Sequence, residues 1–451
     1  MADTNFINGT VIEPAWLNDV NDAVYTTLPA VYTNLADTSN ASMGDALIGV
    51  KRTDTGAVAT TQHALNERTI LNVMDFGAVG DGVTNDAAAI QAAVDAANAM
   101  GGGTVEFPDG KTFKYTSAID MKQGVNVVGR GYGSVLAPTA CSAFTFGFTT
   151  GFGNSVIDNL RIEASTGTSQ IGIYQAGTLN NADELYGITI SNCLIRGFNI
   201  AIKFRTVRNV SIFNNWIQDC NSGIHLIGQC LVINIFGNKL VFASGSGSGT
   251  QYGIYTDYFN YTSGSGNVRP ETVCIQRNII YGYTNAIAFT GVVFGTVRDN
   301  DIQATGVGVF WSTAAAPITI DSNYIQIAGA SATFAVYGGP ESSALDSGIV
   351  VINNHINAVS TTAGTSVGVK LGDNSNGNQD NVRVENNSFL GFTLYDIAFY
   401  KSGHITVRGN SCYSTGVTAS IFCTSLAANC PSYIYENDCY LGITADSTDI
   451  A

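Results

Sequence analysis

The sequence predicts an all-β fold, a parallel β-helix solenoid spanning residues 69–441, on three observations. An asparagine-marked motif recurs along the chain. Apolar and polar residues alternate on both sides of each marker. The composition is also rich in glycine and poor in charge.

The motif reads apolar-x-apolar-x-x-Asn-x-apolar, as in Val210-Ser-Ile212-Phe-Asn-Asn215-Trp-Ile217 and Ile318-Thr-Ile320-Asp-Ser-Asn323-Tyr-Ile325. It is anchored at Asn215, Asn238, Asn278, Asn300, Asn323, Asn354, Asn387 and Asn410, with Cys193 and Asp438 expected at the equivalent outer positions. The shortest intervals are 22 and 23 residues, and intervals of 40, 31 and 33 mark insertions. Alternation with a period of two is the signature of strands. A third strand follows most anchors, as in Gly223-Ile-His225-Leu, Gly253-Ile-Tyr255, Ala286-Ile-Ala-Phe289 and Gly368-Val-Lys-Leu371. Three strands per repeat make a stacked coil. Asparagine suits its bend because a lone buried amide costs about 1–3 kcal/mol, whereas stacked amides bond their neighbours' backbones.

At 451 residues the chain is long for one ordinary core, and stacking coils removes that limit. Charged residues make up 12% against the usual ~25%, and glycine, at 50 residues, exceeds the usual ~7%. A net charge of −15 excludes a nucleic-acid partner on electrostatic grounds, since nothing concentrates positive charge for phosphates. No run approaches the ~18 apolar residues of a membrane span, so no membrane insertion is expected, and Met1-Ala-Asp-Thr-Asn5 lacks the regions of a signal peptide. Nine cysteines with no CxxC pair, and four histidines away from any cysteine pair, favour buried reduced thiols over a metal or redox centre. No cofactor is expected.

A solenoid needs caps. Residues 85–100 fit a capping helix: Thr84, Asn85 and Asp86 are N-cap candidates, Ile90, Val94 and Ala97 share a face, and Gly101-Gly-Gly103 stops it. Residues 1–35 form a separate N-terminal segment in which Pro14 can open a helix bearing Leu17, Val20, Val24 and Val31, for docking or a weak trimeric coil. Residues 36–68 read as extended linker, and residues 442–451 as a tail. Gly77, Gly80 and Gly82 lack the spacing and lysine of a phosphate loop and read as a structural turn. Gly129-Arg-Gly131-Tyr-Gly133 reads as a bend between coils.

The stretch Asn72-Val-Met-Asp75-Phe-Gly77-Ala-Val-Gly80-Asp81-Gly82-Val-Thr-Asn85-Asp86-Ala-Ala-Ala-Ile90-Gln91 resembles the opening of the pectate-lyase-like β-helix family. Gly56-Ala-Val-Ala-Thr-Thr61 through Leu65-Asn-Glu67-Arg68 resembles the lead-in of tailspikes of tailed bacteriophages. Asn5-Phe-Ile-Asn-Gly9 through Pro14-Ala-Trp16-Leu-Asn18-Asp-Val-Asn21 resembles their virion-anchoring segment. The resemblance implies a right-handed β-helix in a homotrimer, attached through residues 1–35 to phage tail or adaptor proteins. It also implies binding, and often cleavage, of a capsule, O-antigen or exopolysaccharide. The expected location is the virion tail, after synthesis in the host cytoplasm. Many tailspikes continue into a β-rich trimerisation domain, whereas the last coil here is expected at Tyr433 to Tyr440. Trimer contacts are then expected from the coils and the N-terminus.

Hydrolysis of a glycosidic bond commonly uses two carboxyl groups, ~5–5.5 Å apart for retention and ~6.5–9.5 Å for inversion. Coils about 4.8 Å apart can satisfy either spacing. The repeat places Leu194, Trp216, Lys239, Ile279, Asp301, Tyr324, His355, Ser388 and Ser411 outward just after the marker. Two residues later on that face come Arg196, Gln218, Val241, Tyr281, Gln303, Gln326, Asn357, Leu390 and Tyr413. Trp216, Gln218, Tyr281, Gln303, Tyr324 and Gln326, with Tyr255, are the candidate saccharide contacts, and packing against a sister subunit is the competing role of such aromatics. Another face, with Arg298, Asp321, Arg383, Glu385, Arg408 and Glu436, reads as solvated ion pairs.

The 40-residue interval contains a Ser/Gly run, then Tyr252-Gly-Ile-Tyr255-Thr-Asp257-Tyr258 and a loop to Glu271. Asp257 and Asp301 are candidate acid and base, with Glu271 and His225 as alternates. A lyase would pair Lys239, His225 or a tyrosine with charge neutralisation. The expectation is a tailspike that binds and depolymerises a host polysaccharide, as a hydrolase rather than a lyase. The rivals are a non-catalytic tail fibre and a cellular pectate-lyase-like enzyme, and the phage-type N-terminus argues against the latter.

Overall fold

A computed structural model of the chain describes residues 18, 28–36, 42–50, 59–62 and 70–445, apart from 148–150, 165–169, 176–184, 244–248, 261–266, 313–316, 340–345, 373–378, 401 and 425–431. The chain divides into two compact units, Met1–Ile70 and Leu71–Ala451.

The second unit is a parallel β-helix. Each coil contributes a strand before the asparagine bend (first sheet), one just after it (second sheet), and one after the next bend (third sheet). The second sheet is a ladder of 14 strands from Asp81–Asn85 to Asp438–Cys439. The other two faces run together as a 28-stranded sheet, because Ile200–Phe213 and Ser222–Phe236 pass from third to first face without a break. The second-sheet register runs Trp216, Lys239, Ile279, Asp301, Tyr324, His355, Ser388 and Ser411, as the repeat implies. Between these rows, Ile217, Leu240, Ile280, Ile302, Ile325, Ile356 and Phe389 point inward and are fully buried. At about 1.5–3 kcal/mol per side chain, such stacks are the main stabilising force of the solenoid.

The asparagine bend satisfies its own polar groups. The Asn300 amide donates to Asn323 Oδ1 at 2.9 Å and to Ile275 O at 3.0 Å, while its Oδ1 accepts from the Asn278 backbone N–H and side-chain amide. The same bonds link each rung from Asn215 onward, and Cys193 N–H donates into the first. The last rung is Asn437, which accepts from Asn410, and not Asp438. Asp438 pairs with Ser411 one residue later and is outward. Before each rung sits a left-handed residue, among them Asn214, Gly237, Asp299, Asn353, Asn386 and Gly409. Asparagine, aspartate and glycine tolerate that conformation best.

The cap is the helix Ala87–Ala99, whose Ile90, Ala93, Val94 and Ala97 are fully buried at the first coils. Asp86 does not cap that helix through its side chain. It turns back instead, accepting from Val79 N–H at 2.7 Å and Gly80 N–H at 3.1 Å, while Asp81 accepts from Val83 and Thr84. The glycine-rich turn is thereby held by carboxylates. A Cβ on Gly80, at φ +64, would meet Phe113 at 2.9 Å. Likewise a Cβ on Gly129 would meet Asn159 O at 2.3 Å, at the bend between Val125–Gly129 and Ser134–Pro138.

In the first unit, Leu28–Ala36 is helical, with Leu28, Val31, Tyr32 and Leu35 exposed. Leu17, Val20 and Val24 lie outside the described residues. Within the stretch expected to be extended linker, Gly49–Val50 pairs antiparallel with Thr60–Thr61. No helix among the described residues is long and apolar enough to cross a membrane. All described cysteines are free, with Cys193, Cys220, Cys230, Cys412 and Cys423 buried; Cys430 lies outside the described residues.

Candidate functional site

The third-sheet strands carry a small residue at their second position. Gly172, Ala201, Gly223, Gly253, Ala286, Gly308, Ala335 and Gly368 occupy it in turn. A Cβ on Gly223 or Gly308 would lie 2.4 Å from the next coil's carbonyl oxygen and also strike a core leucine or isoleucine. After each comes an inward aliphatic residue and then an outward one. The outward column runs Tyr174, Lys203, His225, Tyr255, Ala288, Phe310, Tyr337, Lys370, Ala398 and Phe422.

This face is an aromatic stripe. His225 and Tyr255 have ring centroids 4.6 Å apart, and Tyr252 stacks on Tyr255 at 4.7 Å. Further along, Phe334 meets Tyr337 at 4.5 Å, Lys370 Nζ lies 5.0 Å from the Phe334 ring, and Tyr395 stacks on Phe422 at 4.5 Å. The rings form separate clusters along the face, with Ala288 between the first two and Lys370 and Ala398 before the last.

Four titratable groups around Asp257 are displaced from their ordinary behaviour. Half-burial pushes the Asp257 carboxyl up, against the Tyr255 hydroxyl and the Tyr258 backbone N–H that donate to it and the nearby Lys203 charge. Burial lifts the Tyr255 phenol to about 12, with the Asp257 charge adding to it. Burial and the charges of Lys203 and Arg205 push His225 down to about 3, so its ring is neutral at physiological pH. Its Nε2 is buried without a hydrogen-bond partner. Lys203 is lowered by its own burial and by Arg205. A carboxyl raised by burial is the state a general acid needs, whereas a histidine near 3 is too weak a base for proton abstraction.

The structure separates the expected acid and base. Asp257 ends the third-sheet strand Tyr252–Asp257, whereas Asp301 lies on the second sheet between Ile279 and Tyr324, accepting from Gln303 at 3.2 Å. Asp257 is followed in the chain by Glu271, which begins the first-sheet strand Glu271–Gln276. The two flank a small hairpin, Phe259–Asn260 paired with Asn267–Val268, at the corner where the third sheet gives way to the first. Tyr255 and His225 share the Asp257 face. Trp216, Gln218, Tyr281, Gln303, Tyr324 and Gln326 share the second-sheet face with Asp301, as the repeat implies. Many of these bond one another: Lys239 sits 4.9 Å over the Trp216 ring, the Tyr324 hydroxyl donates to Gln326 at 2.8 Å, and Tyr324 stacks on His355. Tyr281 is exposed. On the first face Arg383 and Arg408 both pair with Glu385, while Arg298 pairs with Asp299 and Asp321 bonds Ser322 and Asn353.

Comparison with known proteins adds identity to this geometry. A family model described as rhamnogalacturonase A/epimerase, pectate lyase-like, matches residues 70–145. The mannuronan C5-epimerase AlgE1 of Azotobacter vinelandii is 47% identical over 72 residues, 14% of this chain and 5% of the epimerase. The tail spike protein of Shigella phage Sf6 is 26% identical over 253 residues, 54% of this chain. A tailspike of E. coli bacteriophage HK620 superimposes with a TM-score of 0.65 at 14% identity, covering 93% of this chain and 82% of that one. This chain is a parallel β-helix with similarity to tailspikes and to pectate-lyase-like proteins. It spans 40% of the length of the Sf6 protein.

The third-sheet aromatic stripe is the feature that repeat counting missed. Its signal is present in the sequence as small residue, aliphatic residue, outward residue, and it recurs from Gly172 to Ser420 with Asp396 at the small position of one coil. Those triplets do not carry an asparagine, and insertions of varied length separate them from the markers.

Proposed function

We propose that this chain is the β-helix body of a phage tailspike that binds a bacterial surface polysaccharide along its third-sheet face and cleaves it by hydrolysis. The observation that carries the reading is Asp257. It is a half-buried carboxyl with a raised pKa, set against the stacked rings of Tyr252, Tyr255 and His225. Asp257 in its protonated form donates to the glycosidic oxygen as the bond to the anomeric carbon breaks. Glu271, across the hairpin corner, is assigned as the second carboxylate, acting on water or on the sugar carbon. Tyr252 and Tyr255 supply a stacking platform, which the neutral His225 ring packed on Tyr255 supports. A solved HK620 tailspike holds a pentasaccharide, which supports a saccharide as the ligand class. Trimerisation, and attachment to tail or adaptor proteins through residues 1–35, belong to the same proposal.

The second reading is a non-catalytic receptor-binding fibre. It is favoured by the exposed Ile279, Tyr281, Leu390 and Tyr413 on the second sheet, a surface suited to packing against sister subunits. Incubation with purified capsules and lipopolysaccharides separates the two. New reducing ends support hydrolysis, unsaturated uronates indicate a lyase, and tight binding without either product leaves the fibre reading.

A further inference from the structure

We propose that a hollow on the outward face of the second sheet, at its first coils, is a separate subsite for one neutral pyranose residue. This rests on the polysaccharide reading above and adds a place where the chain is held away from Asp257. The hollow has a volume of about 370 Å³ and is lined by Thr112, Val135, Ala137, Arg161, Glu163 and Ala164. That volume falls at the small end of the ~300–1,000 Å³ of ligand pockets.

Its origin is visible in the register. The outward rows run Thr112, Val135, Arg161, Leu194, Trp216 and, beside them, Lys114, Ala137, Glu163, Arg196, Gln218. Thr112, Val135 and Ala137 are the short members of these rows, and Arg161 and Glu163 follow them in the next coil. Small side chains set against a coil of long ones leave a depression in the face.

The downstream wall is a linked set of charges. Arg161 Nε donates to Glu163 at 2.8 Å, Arg196 lies 3.5 Å from the other Glu163 oxygen, and Arg196 lies 3.5 Å from Asp219. Two guanidinium groups and two carboxylates neutralise one another there. Exposed pairs of this kind add little stability, about 0–1 kcal/mol each, so folding does not demand them. The wall offers fixed donors and acceptors with no net charge. Such a surface matches the vicinal hydroxyls of an uncharged sugar ring, while a phosphate or carboxylate would have to compete with Glu163 and Asp219 for the same guanidiniums.

The test uses the full chain. Crystals are soaked separately with methyl β-D-galactopyranoside, methyl α-D-glucopyranoside and methyl β-D-glucuronide, and the same probes are titrated in solution by ligand-observed NMR. A neutral glycoside is expected in the hollow and to bind more tightly than the uronide. Ala137→Trp should fill the hollow from an outward strand position, weakening that binding by more than about tenfold with an unchanged melting temperature. Should that variant fail to fold, Val135→Phe serves the same purpose, and Glu163→Gln checks the wall. Only solvent in the hollow in all three soaks, or undiminished binding by the filled variant, overturns the proposal. Preference for the uronide overturns the assignment of a neutral sugar. Cleavage of polysaccharide with an empty hollow removes this subsite alone; an occupied hollow without cleavage removes the hydrolase reading and keeps the subsite.

Discussion

The bend entering the second sheet and the start of the third-sheet strands are built on opposite principles. The first is a ladder of asparagines in which every amide is used twice, as donor and acceptor, by the neighbouring coils. The second is a column of small residues at the second position of each third-sheet strand, glycine or alanine in most coils and Ser420 in the last, interrupted by Asp396. That carboxylate is fully buried in the small-residue column, and neither oxygen has a partner in good hydrogen-bond geometry. Burial lifts it to about 7, offset only in part by the hydroxyls of Ser414 and Ser420, which themselves accept from backbone N–H groups. The outward faces differ in the same sense. The second sheet's polar side chains mostly bond one another, whereas the third sheet carries stacked rings and titratable groups displaced by burial. The contrast teaches that a repeat which satisfies itself serves as scaffold, and that chemistry is found where it does not.

Three variants would break or sharpen this contrast. The largest effect is expected from Asp257→Asn, which removes the general acid and should lower polysaccharide cleavage by about 10²–10⁴-fold. With Asp257 intact, cleavage should fall as pH rises through its raised pKa, since the protonated form is the one that works. A pH profile of cleavage with a falling limb at the position of an ordinary aspartate would count against that role.

Next is Asn300→Ala. It strands the Asn278 backbone N–H and side-chain amide, and chemical denaturation should register a loss of about 2–6 kcal/mol. A loss below about 1 kcal/mol would mean that the ladder is ornamental.

The Asp396→Ala variant should go the other way, and only above acid pH. The folded-state pKa is raised from 3.8 to about 7, so the contribution of Asp396 to stability is most favourable below 3.8 and is lost as pH rises from there to about 7. Removing the carboxyl should therefore stabilise by on the order of 2–4 kcal/mol at pH 8 and much less at pH 4. Melting curves at the two values would show it. Equal shifts at both would place the penalty in packing instead of ionisation.

Much of this was legible in the sequence, and the reasons are physical. The asparagine spacing gave the coil and the register of the second sheet from Leu194 to Ser411, because inward and outward positions are fixed by a period of two. It slipped by one residue at the end, where Asn437 and Asp438 are adjacent and both polar. The cap helix was readable from its apolar face, but Asp86 was not, since its carboxylate serves the preceding turn. The third sheet was seen only in fragments. Its marker is the absence of a side chain, and insertions before it hide which carboxylates share a face. Asp257 and Asp301 were therefore linked by their order along the chain, although the fold sets them on different sheets.

The central claim is that the third-sheet face around Asp257 cleaves a bacterial surface polysaccharide. Its most direct test is the release of reducing ends from a susceptible capsule or O-antigen by wild type, Asp257→Asn and Asp301→Asn side by side. The account predicts that Asp257→Asn is nearly inactive while Asp301→Asn stays within a few-fold of wild type. Full activity in Asp257→Asn, or its loss in Asp301→Asn alone, would contradict it.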